Sequence, residues 1–105
     1  MTQRLRMASV ILMAASIAAP VFAQSDAAAI YKTKCAMCHG ADGKGDTPVG
    51  KKMGVRDFHS PEVAKESDQQ LFDITSAGKA KMPSYKGKLT DDEIKGLVKY
   101  IRSLK

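Results

Sequence analysis

The chain has 105 residues and a formal net charge of +6. That length makes one domain with a thin core and excludes a second one of ordinary size. A chain this small usually needs a staple, such as a disulfide or a bound group, to hold its fold.

Residues 1–23 read as an export signal. Arg4 and Arg6 form a positive start, an apolar run extends from Met7 to Pro20, and Val21-Phe22-Ala23 offers a cleavage site before Gln24. The run is short for a membrane span and is broken by Ser9, Ser16 and Pro20. Cleavage leaves residues 24–105 as one soluble domain with no membrane span.

The first helix of that domain is expected from Ser25, as N-cap, with Asp26 on its positive end. Ala27, Ile30 and Tyr31 share a face, and Gly40 is the expected stop. The helix delivers Cys35-Ala36-Met37-Cys38-His39 at its end. This is the C-x-x-C-H pattern of c-type haem attachment. Two thiols at this spacing reach the two vinyl groups of one haem, and the adjacent His39 becomes an axial ligand to the iron. Covalent attachment of this kind takes place outside the bacterial cytoplasm, which agrees with export to the periplasm.

Other readings of the pair are weaker. No βαβ pattern surrounds it, as a thioredoxin-like motif requires. A zinc site needs four ligands, and His59 is the one further histidine. A disulfide at this spacing closes too short a loop to constrain the unfolded chain much.

Residues 40–59 read as a long loop rich in Gly and Asp, suited to wrapping an edge of the haem. Its glycines do not follow a strand or open a helix, so a phosphate-binding role is set aside. Ser60-Pro61 starts a short helix. Ser67 and Gln70 form a capping box for the next, which places Leu71 and Ile74 on one face and stops at Gly78. Residues 79–89 form a second loop containing Met82-Pro83 and Tyr85. Thr90 and Glu93 form another capping box, and Ile94, Leu97, Val98, Ile101 and Leu104 make the stripe of an amphipathic last helix. No strand alternation or internal repeat interrupts this all-α pattern.

A first helix ending in C-x-x-C-H-G, a late Met-Pro and a last helix bearing Leu-x-x-Tyr together resemble the class I cytochromes c, in the small soluble bacterial form. The resemblance spans essentially all of residues 24–105. It implies the cytochrome c fold, short helices and loops wrapped around one covalently attached haem c. It implies that the first and last helices cross beside the haem, with Tyr31, Leu97 and Tyr100 packed there and Ala27 in place of a frequent glycine. It implies Met82 as the second axial ligand; by residue chemistry alone, Met53 and His59 stay open as alternatives. It implies the carbonyl of Pro48 as acceptor for the free ring N–H of His39. Tyr85, in the Met82 loop, is expected to contact the haem.

The function implied is a periplasmic one-electron carrier rather than an enzyme, since two axial protein ligands leave no open site. The alternative is a haem enzyme or gas-binding module with a displaceable sixth ligand. Lys79, Lys81, Lys86 and Lys88 flank Met82 with no acidic residue between Asp73 and Asp91. They suggest a monomer that docks acidic faces of redox proteins. The basic charge alone permits nucleic acid, which is a poor partner for an exported carrier.

Overall fold

The computed structural model describes residues 22–105. Residues 1–21, most of the expected signal, lie outside that range, and its last two residues, Phe22 and Ala23, open the first helix. Among the described residues the fold is helical, with two isolated bridge pairs and no strand. The helices are α1 Phe22–Ile30, α2 Ala36–His39, α3 Pro48–Met53, α4 Pro61–Lys65, α5 Asp68–Ala77 and α6 Asp91–Ser103. Between α1 and α2 the backbone keeps turning as a π-helix over Tyr31–Cys35.

Three starts are where the caps place them. The side chains of Ser60, Ser67 and Thr90 each accept a hydrogen bond from the backbone N–H three residues on, and Gln70 and Glu93 return the bond in full capping boxes. The first helix differs: it begins before Ser25 and runs through it, so Ser25 is not its N-cap. The alanines on both sides of Ser25 are strong helix formers and carry the helix across it.

The loop expected over 40–59 also differs, because α3 lies inside it. Thr47 caps α3 by accepting from the Gly50 N–H, Pro48 fills the first position, and Gly54 ends it in the left-handed region at φ +67°. Pro48 has the fixed φ and the missing N–H that suit a first helical residue.

The core forms where α1 crosses α6. Ala27, Tyr31, Leu89, Ile94 and Leu97 are buried there, with Tyr100 and Ile101 packed against them. The rings of Tyr31 and Tyr100 meet at 5.1 Å, tilted by 52°. That is a favourable offset arrangement for aromatic pairs. A second cluster joins α4, α5 and α6 through Val63, Leu71 and Val98, and Phe58 and Phe72 pack against both clusters. Each fully buried aliphatic side chain contributes roughly 1.5–3 kcal/mol, so the stripe on α6 dominates the packing energy. Two arginines tie the ends together at the surface. Arg102 reaches Asp68 at 2.5 Å and the Glu66 carbonyl, while Arg56 holds the Glu66 carboxylate through two nitrogens at 2.8 and 3.3 Å.

Candidate functional site

The helix crossing leaves a cavity of about 370 Å³ between the C-x-x-C-H segment and the loop after α5. Cys35, Cys38 and His39 line one wall; Met82, Pro83 and Tyr85 line another. Most of the remaining wall is apolar, from Val63, Leu71, Ile74, Leu97 and Ile101. Lys34, Arg56, Lys79 and Lys81 also reach it.

The anchor segment is held by its own carbonyls. The buried Tyr31 hydroxyl donates to the Gly40 carbonyl at 2.6 Å, and burial keeps that hydroxyl protonated far above its ordinary range. Thr47 Oγ1 donates to the Cys38 carbonyl at 2.9 Å while accepting from the Gly50 N–H at 2.9 Å. The Gly45 N–H donates to the His39 carbonyl at 2.7 Å. Gly40 takes φ +82° after the helix, a conformation that suits glycine. Gly50 serves a different need. A Cβ there would lie 2.2 Å from the Cys38 carbonyl oxygen, so α3 can rest on the anchor through glycine alone.

Cys35 and Cys38 are free thiols. Burial pushes the Cys35 thiol up to about 11. It is therefore a protonated thiol at neutral pH, unlike the low-pKa thiolate of a redox pair. Among the described residues no three His, Cys, Asp or Glu side chains gather closely enough to hold a metal ion. A zinc site therefore has no ligand set there.

His39 is half-buried, and burial lowers its pKa, so the ring is held in the neutral form that binds metals. Its Nδ1 is buried and has no hydrogen-bond partner. Pro48, the residue expected to accept from this atom, is the first residue of α3. The ring meets Phe58, stacked at 4.6 Å with 23° between planes. Phe58 has no motif signal in the sequence, because the contact joins residues far apart in the chain.

The Met82 loop folds back on the end of α5. Lys79 and Met82 exchange backbone hydrogen bonds at 3.2 and 2.9 Å. The Tyr85 N–H donates to the Thr75 carbonyl at 3.2 Å and the Lys86 N–H to the Ser76 carbonyl at 3.0 Å. Gly78, at φ +78°, makes the turn possible, since a Cβ there would lie 2.7 Å from the Met82 carbonyl. The Tyr85 hydroxyl donates to the Lys34 carbonyl at 3.2 Å, which joins this loop to the π-helical stretch before the anchor.

Among the other ligand candidates, Met53 lines the same cavity but is 47% exposed. Met37 is 72% exposed and does not line it. His59 is also absent from the lining. Its Nδ1 faces Asp57 Oδ1 at 2.7 Å and its Nε2 faces the Leu104 carbonyl at 3.0 Å. Both ring nitrogens of His59 are thus committed elsewhere.

These residues fit a haem. Two thiols at thioether spacing, a neutral imidazole and a soft thioether face one apolar cavity. The family model described as cytochrome c oxidase, cbb3-type, subunit III matches residues 22–101. The chain belongs to this family.

Cytochrome c6 of Leptolyngbya boryana is 28% identical over 83 residues, covering 73% of this chain and 91% of that protein. The solved KustC0563 c-type cytochrome superposes with a TM-score of 0.70 at 36% identity, covering 76% of this chain and 98% of that one. A chain of the Kuenenia stuttgartiensis reducing HAO-like protein complex Kustc0457/Kustc0458 also superposes at 0.70, with 26% identity. It covers 81% of this chain, which spans 44% of that larger one. This c-type cytochrome therefore has the cytochrome c fold and carries covalently bound haem c in electron transport. The single C-x-x-C-H segment is the attachment point that the sequence offers. Among the described residues of the cytochrome, no helix is long and apolar enough to cross a membrane.

Proposed function

We propose that this cytochrome is a periplasmic one-electron carrier with one haem, ligated by His39 and Met82, that works between redox proteins and is not itself an enzyme. The observation that carries the reading is the placing of Cys35, Cys38, His39 and Met82 around one apolar cavity. Cys35 and Cys38 would hold the haem through thioethers to its two vinyl groups. With Nδ1 turned into the protein, Nε2 of His39 is the nitrogen available to the iron. The haem supplies the one-electron exchange between ferric and ferrous iron.

The protein's own residues set the terms of that exchange. The Met82 thioether is a soft ligand that favours the ferrous state and raises the potential. The apolar wall excludes water and penalises the added charge of the ferric form. Tyr85 lines the cavity and ties its loop to the segment before the anchor through its bond to Lys34. Pairing of the loop backbone with α5 holds Met82 in place, so little reorganisation accompanies electron transfer.

Export through residues 1–23 places the carrier in the periplasm. Lys79 and Lys81 line the cavity rim, and Lys86 and Lys88 are exposed on the same loop. Among the described residues none of the four forms an ion pair. They give the monomer a positive face for the acidic surface of a redox partner.

The test is the purified protein from cells competent in haem attachment. Its mass after denaturation should include one haem. Met82→Ala should remove the charge-transfer band of thioether-bound ferric iron, lower the potential and open the iron to added ligands. A wild-type protein that already binds added ligands freely would favour the gas-binding or enzymatic alternative. An unchanged spectrum in Met82→Ala would move the sixth ligand to Met53.

A further inference from the structure

The loop that carries Met82 contains two tight turns, one between Lys79 and Met82 and one between Lys86 and Leu89. Each takes positive φ at its first central residue. In the second turn that residue is Gly87, at φ +81°. In the first it is Ala80, at φ +52°. Among the described residues six glycines have positive φ, and Ala80 is the one other residue that does. A Cβ crowds the backbone in this region, which is why glycine is the ordinary choice there.

Strain of this kind persists only where the surroundings over-determine it. Here the constraint is the pairing on either side of Ala80. Lys79 and Met82 bond each other in both directions. Beyond them, Pro83 disfavours helical backbone at Met82, and the Ser84 hydroxyl donates to the Ser76 carbonyl at 2.7 Å. The turn has little apolar packing to add to these bonds, because Lys79, Ala80 and Lys81 are all exposed. Few buried contacts and exposed backbone bonds are the marks of a segment that opens locally. Opening breaks the two bonds between Lys79 and Met82 and lets residue 80 return to negative φ. The strain released at Ala80 therefore favours the open form.

We propose that Ala80 is a positioning residue for Met82 that keeps the sixth ligand releasable. Its strained backbone offsets part of the hydrogen bonding that closes the turn, so that a small nitrogen donor of the imidazole class can replace the thioether on the iron. That exchange swaps one neutral ligand for another and leaves the oxidation state unchanged. The proposal rests on the reading of Met82 as sixth ligand and adds that residue 80 sets how firmly it is held. Ala80 also lines the cavity, beside Met82. A methyl group that served only as cavity wall would make the opposite prediction, since its removal would loosen the site.

The experiment uses the haem-loaded protein and its Ala80→Gly and Ala80→Asn variants. Glycine removes the Cβ, whereas asparagine keeps it and tolerates the left-handed region. Two quantities are read. One is the imidazole concentration that half-removes the charge-transfer band of thioether-bound ferric iron. The other is the native-state hydrogen exchange of the Met82 N–H, which bonds to the Lys79 carbonyl at 2.9 Å. The Val55 N–H, bonded to the Gly50 carbonyl at 3.0 Å, is the reference outside the loop. In Ala80→Gly the open fraction should fall about fivefold, after allowance for the freedom that glycine gains in the open loop. The apparent affinity for imidazole should fall by the same factor, because the open form is the one that binds. Exchange of the Met82 N–H should slow equally against that of Val55. Ala80→Asn should act in the same direction, which separates relief of strain from loss of the methyl group. An open fraction in Ala80→Gly equal to or larger than in the wild type, beneath an intact thioether band, would overturn the proposal alone. A wild type that lacks the band would overturn the reading of Met82, and the proposal with it.

Discussion

The contact between Gly50 and the Cys38 carbonyl can be tested with one methyl group. Gly50→Ala would place a Cβ 2.2 Å from that oxygen and 2.6 Å from the Gly45 carbonyl, where ordinary contact starts at 3.4 Å. Both obstacles are backbone, so neither can rotate away. Helix α3 must lift off the anchor, which costs roughly 1–3 kcal/mol as overpacking. The lift breaks the bond from Thr47 Oγ1 to the Cys38 carbonyl, at about 1 kcal/mol, while the cap bond from the Gly50 N–H moves with the helix. Alanine returns about 1 kcal/mol through helix propensity. The net loss is about 1–3 kcal/mol, which lowers the guanidinium midpoint by up to about 1 M for a domain of this size. Gly54→Ala is the control. It meets nothing within 4 Å but sits at φ +67°, so its cost is conformational, about 1 kcal/mol. Equilibrium unfolding of the three holoproteins, with haem content measured alongside, gives the comparison. If Gly50→Ala is no less stable than Gly54→Ala, α3 does not rest on the anchor as described.

Tyr31→Phe keeps the ring pair with Tyr100 but removes the hydroxyl bonded to the Gly40 carbonyl, and should cost about 1 kcal/mol in denaturant unfolding. Burial raises the Tyr31 pKa above its ordinary 10.0, so its stabilising contribution is complete below pH 10.0 and is lost as pH rises toward the folded value. The alkaline fall in stability should therefore be shallower in Tyr31→Phe, and equal slopes would refute the assignment. Lys81→Glu with Lys86→Glu should slow electron transfer to an acidic partner at low salt. It should also flatten the salt dependence, since screening acts within about 10 Å at 0.1 M; equal low-salt rates would place the docking face elsewhere.

Much of this fold was legible because local rules and tertiary packing agree. The caps at Ser60, Ser67 and Thr90 start helices as expected, and the apolar stripe from Ile94 to Ile101 faces the core. The expected packing of Tyr31, Leu97 and Tyr100 at the crossing is also found. Helix α3 was hidden by its own function. Thr47-Pro48 is the same start signal as Ser60-Pro61, yet Gly50, placed for contact with Cys38, makes the segment look like loop. The contact of His39 with Phe58, 19 positions away in the chain, was not legible at all, because it depends on where a loop closes rather than on any local pattern.

The π-helical stretch at Tyr31–Cys35 makes the chain between the crossing and the anchor a ruler of fixed count. Ala27 and Tyr31 must face α6 while Cys35, Cys38 and His39 face the cavity, and both demands fall on one continuous helical path. One residue added to or removed from such a path turns everything beyond it by about 100°. A wider turn takes up that difference locally, and once it is used the register has no slack. Apart from those five side chains, residues 27–39 can therefore vary in identity far more freely than in number. Exchanges of this segment between related cytochromes should preserve its length even where they change most of its side chains.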